Sequence, residues 1–558
     1  MGTISDKLMR IINTKEDIRQ ALISKGYDVP TSIPFKEYAK MISDLPCRVD
    51  SFPDIEGIVA RYSALGLTNE QMATNPVWVD KTGNGHDLQL KNFAWKGMSG
   101  VGGYGDENYQ TFYKFTLDDY VFIASPPGVK HMNFTFRVTG LQPGNKLTLA
   151  FFGTTNTVYG TWDKDGIYTV DADIVEAGKP TYFYNGYGAT RGEFTIEILP
   201  LYPGALVFDG VDDYGTCDNF PILTKEKGYT VVVLRQWDQD FLNTTLTGGL
   251  LSTRNYSTGE GVAFEKIESS NKGYWNLGAG GIIDFAKSPF TWQTSKQYNN
   301  VGILKGDKNH GKPLCVGCGL SGGQQCGRFA IWELVFLDHD ATEEELTKIK
   351  DYFVKTYPWL FPDQAWTVVG KTNEDEDRAT IANITGNGND LVLSNFGFAE
   401  GSGYNEEGEY AGYLVTDGVD DKIISSIFKM GNDWTVIGDW ELINTGKNDN
   451  AGIVKFDSIV IYNYNSMLIN IKNGRNILIP DQNTVNAICS DGRIYSKDWK
   501  ESIYNEETES TSKNFLTIGY SGNAYTKIAF KNLAIYPTVL SREDCIKAYN
   551  YLQTLKAK

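Results

Sequence analysis

Basic charge is what this chain is short of. Its 558 residues carry 52 Lys and Arg against 69 Asp and Glu, a formal net charge of −17 at pH 7. Duplex binding rests on cations that neutralise phosphates, so this balance argues against nucleic acid as the main partner. Histidine is scarcer still, with four in all: His86, His131, His310 and His339. None sits in a Gly-x-Ser-x-Gly setting, so a Ser-His-Asp hydrolase has no support. Cysteine numbers seven, which is odd and sparse for a disulfide framework. That count fits synthesis in a reducing compartment. No apolar run approaches the roughly 18–20 residues of a membrane span. The N-terminus lacks the apolar stretch of a signal peptide, and Asp6 breaks the myristoylation pattern that Met1-Gly2 begins. The expectation is a protein that stays off membranes and is not exported by the usual signal. No phosphate loop or dinucleotide fingerprint occurs.

What is present occurs twice. Residues 82–95 read Thr-Gly-Asn-Gly-His-Asp-Leu-Gln-Leu-Lys-Asn-Phe-Ala-Trp, and 385–398 read Thr-Gly-Asn-Gly-Asn-Asp-Leu-Val-Leu-Ser-Asn-Phe-Gly-Phe. Each is followed by a second signature, Phe-Asp-Gly-Val-Asp-Asp-Tyr at 208–214 and Thr-Asp-Gly-Val-Asp-Asp-Lys at 416–422. Each copy closes alike, with Glu-Leu-Val-Phe-Leu (333–337) before Thr342 and Asn-Leu-Ala-Ile-Tyr (532–536) before Ser541. A unit this long is a duplicated domain and not a solenoid repeat, whose period is about 20–50 residues. Gly386 to Gly418 spans 32 residues, whereas Gly83 to Gly210 spans 127, leaving an excess of 95 in the first copy. A structureless loop of that size is improbable in a compact domain. A small domain spliced into a surface loop is expected instead.

The chain divides accordingly. Residues 1–46 have helical periodicity, with apolar sets at Leu8, Ile11 and Ile12, at Ile18 and Leu22, and at Phe35, Tyr38, Met41 and Ile42. Three short helices bury little core alone, so they pack on the rest of the chain or dock on a partner. Residues 47–55 read as a linker. Residues 56–104 and 204–361 form the first repeat, 105–203 the insert, and 362–558 the second repeat. Alternation at Phe134, Phe136 and Val138 and at Phe194, Ile196 and Ile198, with turn residues between, predicts a small β-sandwich in the insert. Thr342 with Glu345, and Ser541 with Asp544, predict capped helices closing each repeat. The predicted fold class is mainly β: two jelly-roll sandwiches, one carrying an inserted small β-sandwich, after a short helical N-terminal segment.

Two resemblances bear on function. Lys7-Leu8, Lys15, Ile18-Arg19, Ala21-Leu22, Lys25-Gly26, Phe35 and Tyr38-Ala39 resemble a leader at the start of bacteriophage tail, baseplate and head-fibre proteins. It implies a virion protein made in the host cytoplasm, attached to other virion proteins through residues 1–46, and a homo-oligomer. The Asp-Gly-Val-Asp-Asp signatures and the closing strands with their acidic caps are similar to the laminin-G-like, concanavalin A-like jelly-roll family. That family implies two packed antiparallel sheets, commonly used to bind glycans or proteins; some members are glycosidases.

The chemistry expected at these residues is modest. Asp209, Asp212 and Asp213, and Asp417, Asp420 and Asp421, are the candidate calcium ligands, because carboxylates suit a hard cation. Asp-Gly is also a turn dipeptide, and Asp caps its own backbone in turns; the structural turn is the preferred reading, with no cofactor. His310, Cys315, Cys318 and Cys326 have zinc-type side chains, but Leu516-Thr-Ile-Gly519 occupies the place of Leu314-Cys-Val-Gly317, so free, buried thiols are expected. A glycosidase needs two carboxylates facing one cleft. Glu374-Asp-Glu-Asp377 lacks the alternating acids of the family's glycosidases and reads as a solvated loop. The expectation is therefore no catalysis. Trp237, Tyr256, Tyr274, Trp275, Tyr462 and Tyr464 are candidate platforms for a host-surface glycan, against the ordinary role of such rings in sandwich cores. The combined expectation is a fibre or appendage protein displaying lectin-like domains, with a plain scaffold and a glycan depolymerase as the alternatives.

Overall fold

The computed structural model describes Lys15, Arg19 and residues 52–557, apart from short stretches of which 186–193, 254–262, 306–313 and 504–512 are the longest. Lys15 and Arg19 are helical. The apolar attachment set (Leu8, Ile11, Ile12, Ile18, Leu22, Phe35, Tyr38, Met41 and Ile42) lies outside the described residues. The architecture is mainly β, in several sheets. No helix among the described residues is long and apolar enough to cross a membrane.

The first repeat is built on the strand Arg328–Leu337. It pairs antiparallel with Thr230–Trp237 on one side and with Ile58–Ser63 and Leu206–Asp209 on the other. The opposed sheet contains Leu88–Lys91, Tyr214–Cys217, Leu314–Val316 and Gly248–Ser252. Leu88, Leu90, Leu251 and Val316 from that sheet meet Phe208, Val231, Val233, Phe329 and Ile331 from the first in one core. The second repeat repeats the plan. Ile528–Tyr536 pairs with Thr435–Leu442, Gln364–Thr367 and Leu414–Val415, over an opposed sheet containing Leu391–Ser394, Lys422–Ser425 and Leu516–Ile518. Both copies carry a bulge at the same place, at Leu234/Arg235 and at Asp439/Trp440.

The strands between residues 112 and 198 pair only with one another among the described residues, in two four-stranded sheets. Phe134, Phe136, Leu147, Leu149, Phe183 and Ile196 fill the space between them. The chain leaves and returns at adjacent points, where Leu201 N–H donates to Gly103 O (2.8 Å) and Tyr202 N–H to Gly102 O (2.8 Å). Leu201 and Tyr202, placed in the insert by sequence, therefore pair with the first sandwich, whereas Leu199 N–H donates to Thr135 O of the insert (2.8 Å).

The central strands are apolar on both faces because both faces are covered. Phe329, Ile331, Leu334 and Phe336 point into the first sandwich. Ala330, Trp332, Val335 and Leu337 point outward into a second core. That outer core also holds Ile437, Ala487, Ala534 and Tyr536 of the second repeat. The closing helices Glu343–Thr356 and Arg542–Leu552 supply Ile349, Phe353, Ile546 and Tyr551 to it. The two sandwiches are thus joined back to back. Tyr551 Oη donates to Gln236 Oε1 across the junction (2.9 Å), and the Trp332 and Tyr551 rings meet edge-on. Each fully buried large apolar side chain contributes about 1.5–3 kcal/mol, so the junction is a structural core. The helices begin as predicted: Thr342 and Glu345 form a reciprocal capping box, and Ser541 Oγ accepts from Asp544 N–H.

A buried ion pair pins the first helix to its sheet. Arg61 Nε lies 3.1 Å from Glu333 Oε2, both side chains being at most 5% exposed. Glu333 Oε1 also accepts from Ser63 Oγ and Tyr357 Oη, each at 2.7 Å, while Arg61 donates to Tyr352 Oη at 2.9 Å. Burial and the Glu333 carboxylate push the Tyr357 phenol far above its ordinary range. Removing one partner leaves the other charge buried and uncompensated, which costs about 3–5 kcal/mol. Glu333→Ala is therefore expected to lower stability by that amount in urea unfolding. The paired change Arg61→Ala with Glu333→Asn, which copies Ala365 and Asn532 of the second repeat, is expected to cost less than the sum of its parts. A second expectation concerns the insert: joining Tyr104 to Leu199 with a short Gly/Ser linker should leave a chain that still unfolds cooperatively, whereas a molten product would show that the insert is needed to fold the first sandwich.

Candidate functional site

The two signatures that define the repeat come together in space, once in each copy. In the first, the loop after strand Leu88–Lys91 packs on the turn 209–213. Asn92 Nδ2 donates to Asp212 O (3.1 Å). Ser99 Oγ donates to Asp213 Oδ1 (2.9 Å) and accepts from Ala94 N–H (2.7 Å). In the second, Asn395 Nδ2 donates to Asp420 O (3.0 Å), and Ser402 Oγ accepts from Gly397 N–H (2.8 Å). A short bridge closes each loop, Lys96 with Ser99 and Ala399 with Ser402. Asn69 clamps the next strand through both backbone groups of Val101, as Asn373 does with Tyr404. A Cβ on Gly100 or Gly403 would stand 2.5 Å from that Asn Oδ1, which requires glycine there.

The acidic residues serve this turn. Asp209 Oδ1 accepts from Val211 and Asp212 N–H, and Asp213 Oδ2 accepts from Asp209 N–H (3.1 Å). Asp417 Oδ1 accepts from Val419, Asp420 and Asp421 N–H, and Asp421 Oδ2 from Asp417 N–H (2.7 Å). Gly210 and Gly418 supply the positive φ, at 77° and 75°. One carboxylate oxygen from each of the three acids in a cluster lies within 4.8 Å of the others. A calcium cage needs six to eight oxygens with lone pairs to give, and here the first and third acids are engaged with backbone N–H groups. Burial, with Asp209 beside it, pushes the Asp213 carboxyl up to about 8, and burial raises Asp421 to about 6.

The remaining sequence candidates are placed as follows. Trp237 is 5% exposed, packed on Phe241, Phe264 and Phe329 inside the first sandwich. Its ring belongs to the core and offers no face to a sugar, which corrects its selection as a platform. Tyr274 and Trp275 lie on the strand Lys272–Trp275, and Tyr462 on Ile459–Asn463, both far along the sheets opposed to the junction. Tyr256 and Tyr464 lie outside the described residues, as does His310. The expectation of free thiols is overturned at two positions. Cys318 and Cys326 face each other across a hairpin and form a disulfide. Antiparallel register set that pairing, and a spacing of Cys-x7-Cys does not reveal it. Cys217, Cys315, Cys489 and Cys545 are free and buried. With two of its sulfurs bonded together, the array no longer offers a zinc donor set.

Glu374 and Glu376 are exposed, and Asp375 and Asp377 are held locally by Thr372 and Lys371. His339 bridges Asp338 and Glu345, and the His86 ring packs near Phe220. Neither is hydrogen-bonded to a serine or cysteine among the described residues. A groove of about 340 Å³ runs along the junction, with Asp351 and Lys355 from the first helix facing Val539 and Asp544. Asp544 is committed to the Ser541 cap and to Lys547. What sequence reasoning passed over is the pair Trp95 and Phe398, aromatic residues with φ of 56° and 50° at equivalent places in the two loops. The signal was available, because both end the first repeated motif.

No family model matches the sequence, and no curated protein matches it. Solved structures similar to part of the chain include the botulinum neurotoxin serotype D binding domain, at 12% identity over 62% of this chain and 89% of that one, with a TM-score of 0.24. The serotype G binding domain is similar at 9% identity over 60% and 90%, with a TM-score of 0.23. Trypanosoma rangeli sialidase in complex with the inhibitor DANA is similar at 8% over 69% and 68%, also at 0.23. At such scores these likenesses carry no argument about this chain.

A carboxyl whose folded pKa lies above its unfolded value stabilises the fold while protonated. For Asp213 that contribution is complete below the ordinary carboxylate range near 4 and is lost as the pH rises toward about 8. Asp213→Asn keeps an acceptor for Asp209 N–H and should flatten the fall of melting temperature between pH 5 and 8. A chelator is expected to leave the wild-type melting temperature unchanged, since only a ligand held by the native state raises it. A large fall restored by calcium would reassign all six aspartates as ligands.

Proposed function

We propose that the protein is a non-catalytic appendage of a phage virion. Residues 1–46 attach it, and its sandwiches display glycan-binding surfaces to the host. The observation that carries this reading is the back-to-back junction. It uses one sheet of each repeat, so the two opposed sheets face away from each other on a rigid body. Such a body suits presentation, because surfaces held in place lose little freedom on binding. The first and third acids of each cluster are spent on turns, which supports a binding role over a depolymerase. The N-terminal resemblance supplies the virion partner and location.

Two measurements test the proposal. A chain beginning at residue 50 keeps Phe52, whose ring lies under Arg61 and meets Tyr352 edge-on, so it should melt like the full chain yet fail to join particles. Leu8→Asp with Ile12→Asp should do the same by placing charge in a dry interface. Full occupancy of particles by either variant would move attachment to another domain. Incubation with host capsular polysaccharide separates the functions: retention without shortening supports binding, falling polymer length makes the protein a depolymerase, and neither leaves a scaffold.

A further inference from the structure

Two of the buried thiols lie together in the junction core. Cys489 ends the strand Val485–Cys489. Cys545 lies near the start of the closing helix Arg542–Leu552, where its N–H donates to Ser541 O (2.8 Å). Both are wholly buried in the core shared by the two repeats. The Cys545 thiol donates a hydrogen bond to the Cys489 sulfur, so the two side chains are in contact. That bond, with Thr435 Oγ1 at 3.7 Å and the Arg493 guanidinium nearby, holds the Cys489 thiol below its ordinary range in spite of its burial. Burial pushes the Cys545 thiol up. The pair belongs to the second copy alone. Lys305 stands opposite Thr230 where Cys489 stands opposite Thr435, and Leu346 has the place of Cys545 after the helix cap. The junction groove passes beside the pair. Thr538, Leu540 and Asp544 line it. Thr435 Oγ1 donates to Thr538 O and accepts from Leu540 N–H, each at 2.9 Å, and Asp544 precedes Cys545 in the helix.

We infer that Cys489 and Cys545 are a redox pair that a peroxide converts to a disulfide, stapling the second closing helix to its sheet. Cys489 has the greater thiolate character and attacks first. Its sulfur takes one oxygen of hydrogen peroxide, the O–O bond breaks and water leaves, giving a sulfenic acid. The Cys545 sulfur then attacks that sulfur, and the sulfenic hydroxyl departs as a second water with the Cys545 proton. In sum two thiols lose two electrons and two protons, and one peroxide becomes two waters. A peroxide suits the site because it is small; the burial of both sulfurs shuts out a bulky disulfide oxidant. The consequence is structural. Arg61, Glu333, Tyr352 and Tyr357 hold the first closing helix to its sheet, and the second copy has Ala365 and Asn532 in place of the charged pair. A disulfide restrains the unfolded chain and gives the second helix the anchor that it lacks.

Peptide mapping of the full chain without reduction tests it. Hydrogen peroxide added to the native protein should link the peptide carrying Cys489 to that carrying Cys545, ahead of any oxidation at Cys217 or Cys315. Dithiothreitol should reverse the link. The linked protein should melt higher, by on the order of 5 °C. Cys545→Ala should stop at a sulfenic acid on Cys489, trapped by dimedone, with no rise in melting temperature. Cys489→Ala should leave Cys545 unlabelled, and Cys315→Ala should link like the wild type. Native wild type whose two peptides stay unlinked overturns the proposal, whatever the variants do, as does a link that forms only in urea. A link without a rise in melting temperature overturns the staple. Dimedone on Cys545 in Cys489→Ala, at the rate seen for Cys489 in Cys545→Ala, overturns the assignment of Cys489 as the attacking thiol. If an alanine variant fails to fold, the wild-type map and melting decide.

Discussion

Everything else in the molecule depends on the central strands Arg328–Leu337 and Ile528–Tyr536 being buried on both faces. A strand with one wet face alternates polar and apolar residues, and these do not. Their inner residues fill the two sandwiches, and their outer residues fill the junction. The junction therefore cannot open without exposing the outer face of each sandwich's main sheet. Duplication and fusion are one physical fact here: each copy covers the face that the other would leave in water.

The copies have diverged where the closing helix meets the sheet. The first holds its helix with Arg61, Glu333, Tyr352 and Tyr357 in one buried hydrogen-bonded set. The second has Ala365 and Asn532 at those places. Asn532 is 1% exposed, and its amide finds no partner among the described residues. A buried amide without partners costs free energy, so the second copy bears a penalty that the first avoids by pairing full charges. The second helix gains elsewhere, through Tyr551 to Gln236 and through Lys547 over the Trp359 ring at 4.4 Å. The insert is tied in as well, with Arg137 placed between Glu197 (2.8 Å) and Glu543 of the second repeat (3.5 Å).

The repeated acidic motif shows how one composition serves two ends. Three carboxylates in five residues invite a cation. The backbone takes most of their capacity first, because a tight turn leaves N–H groups that need acceptors. What remains outward in the first copy is the Asp212 carboxylate and the Val211 side chain.

The sequence alone determined the duplication, the inserted sandwich, the mainly-β class and the capped closing helices. Each of these is written in local patterns: a repeated motif, an excess of 95 residues, alternation of period two, and a Thr or Ser three residues before an acid. Only tertiary structure decided what the patterns meant together. Trp237 is a candidate platform by residue type but lies in the core, since burial depends on which sheet covers it. Cys318 and Cys326 bond because antiparallel register sets them opposite each other. Asn92, Ser99 and Asp213 are separated by as many as 121 positions and become one loop. The left-handed conformation shared by Trp95 and Trp499, each at φ 56°, is likewise decided by the backbone packed around them and not by residue type.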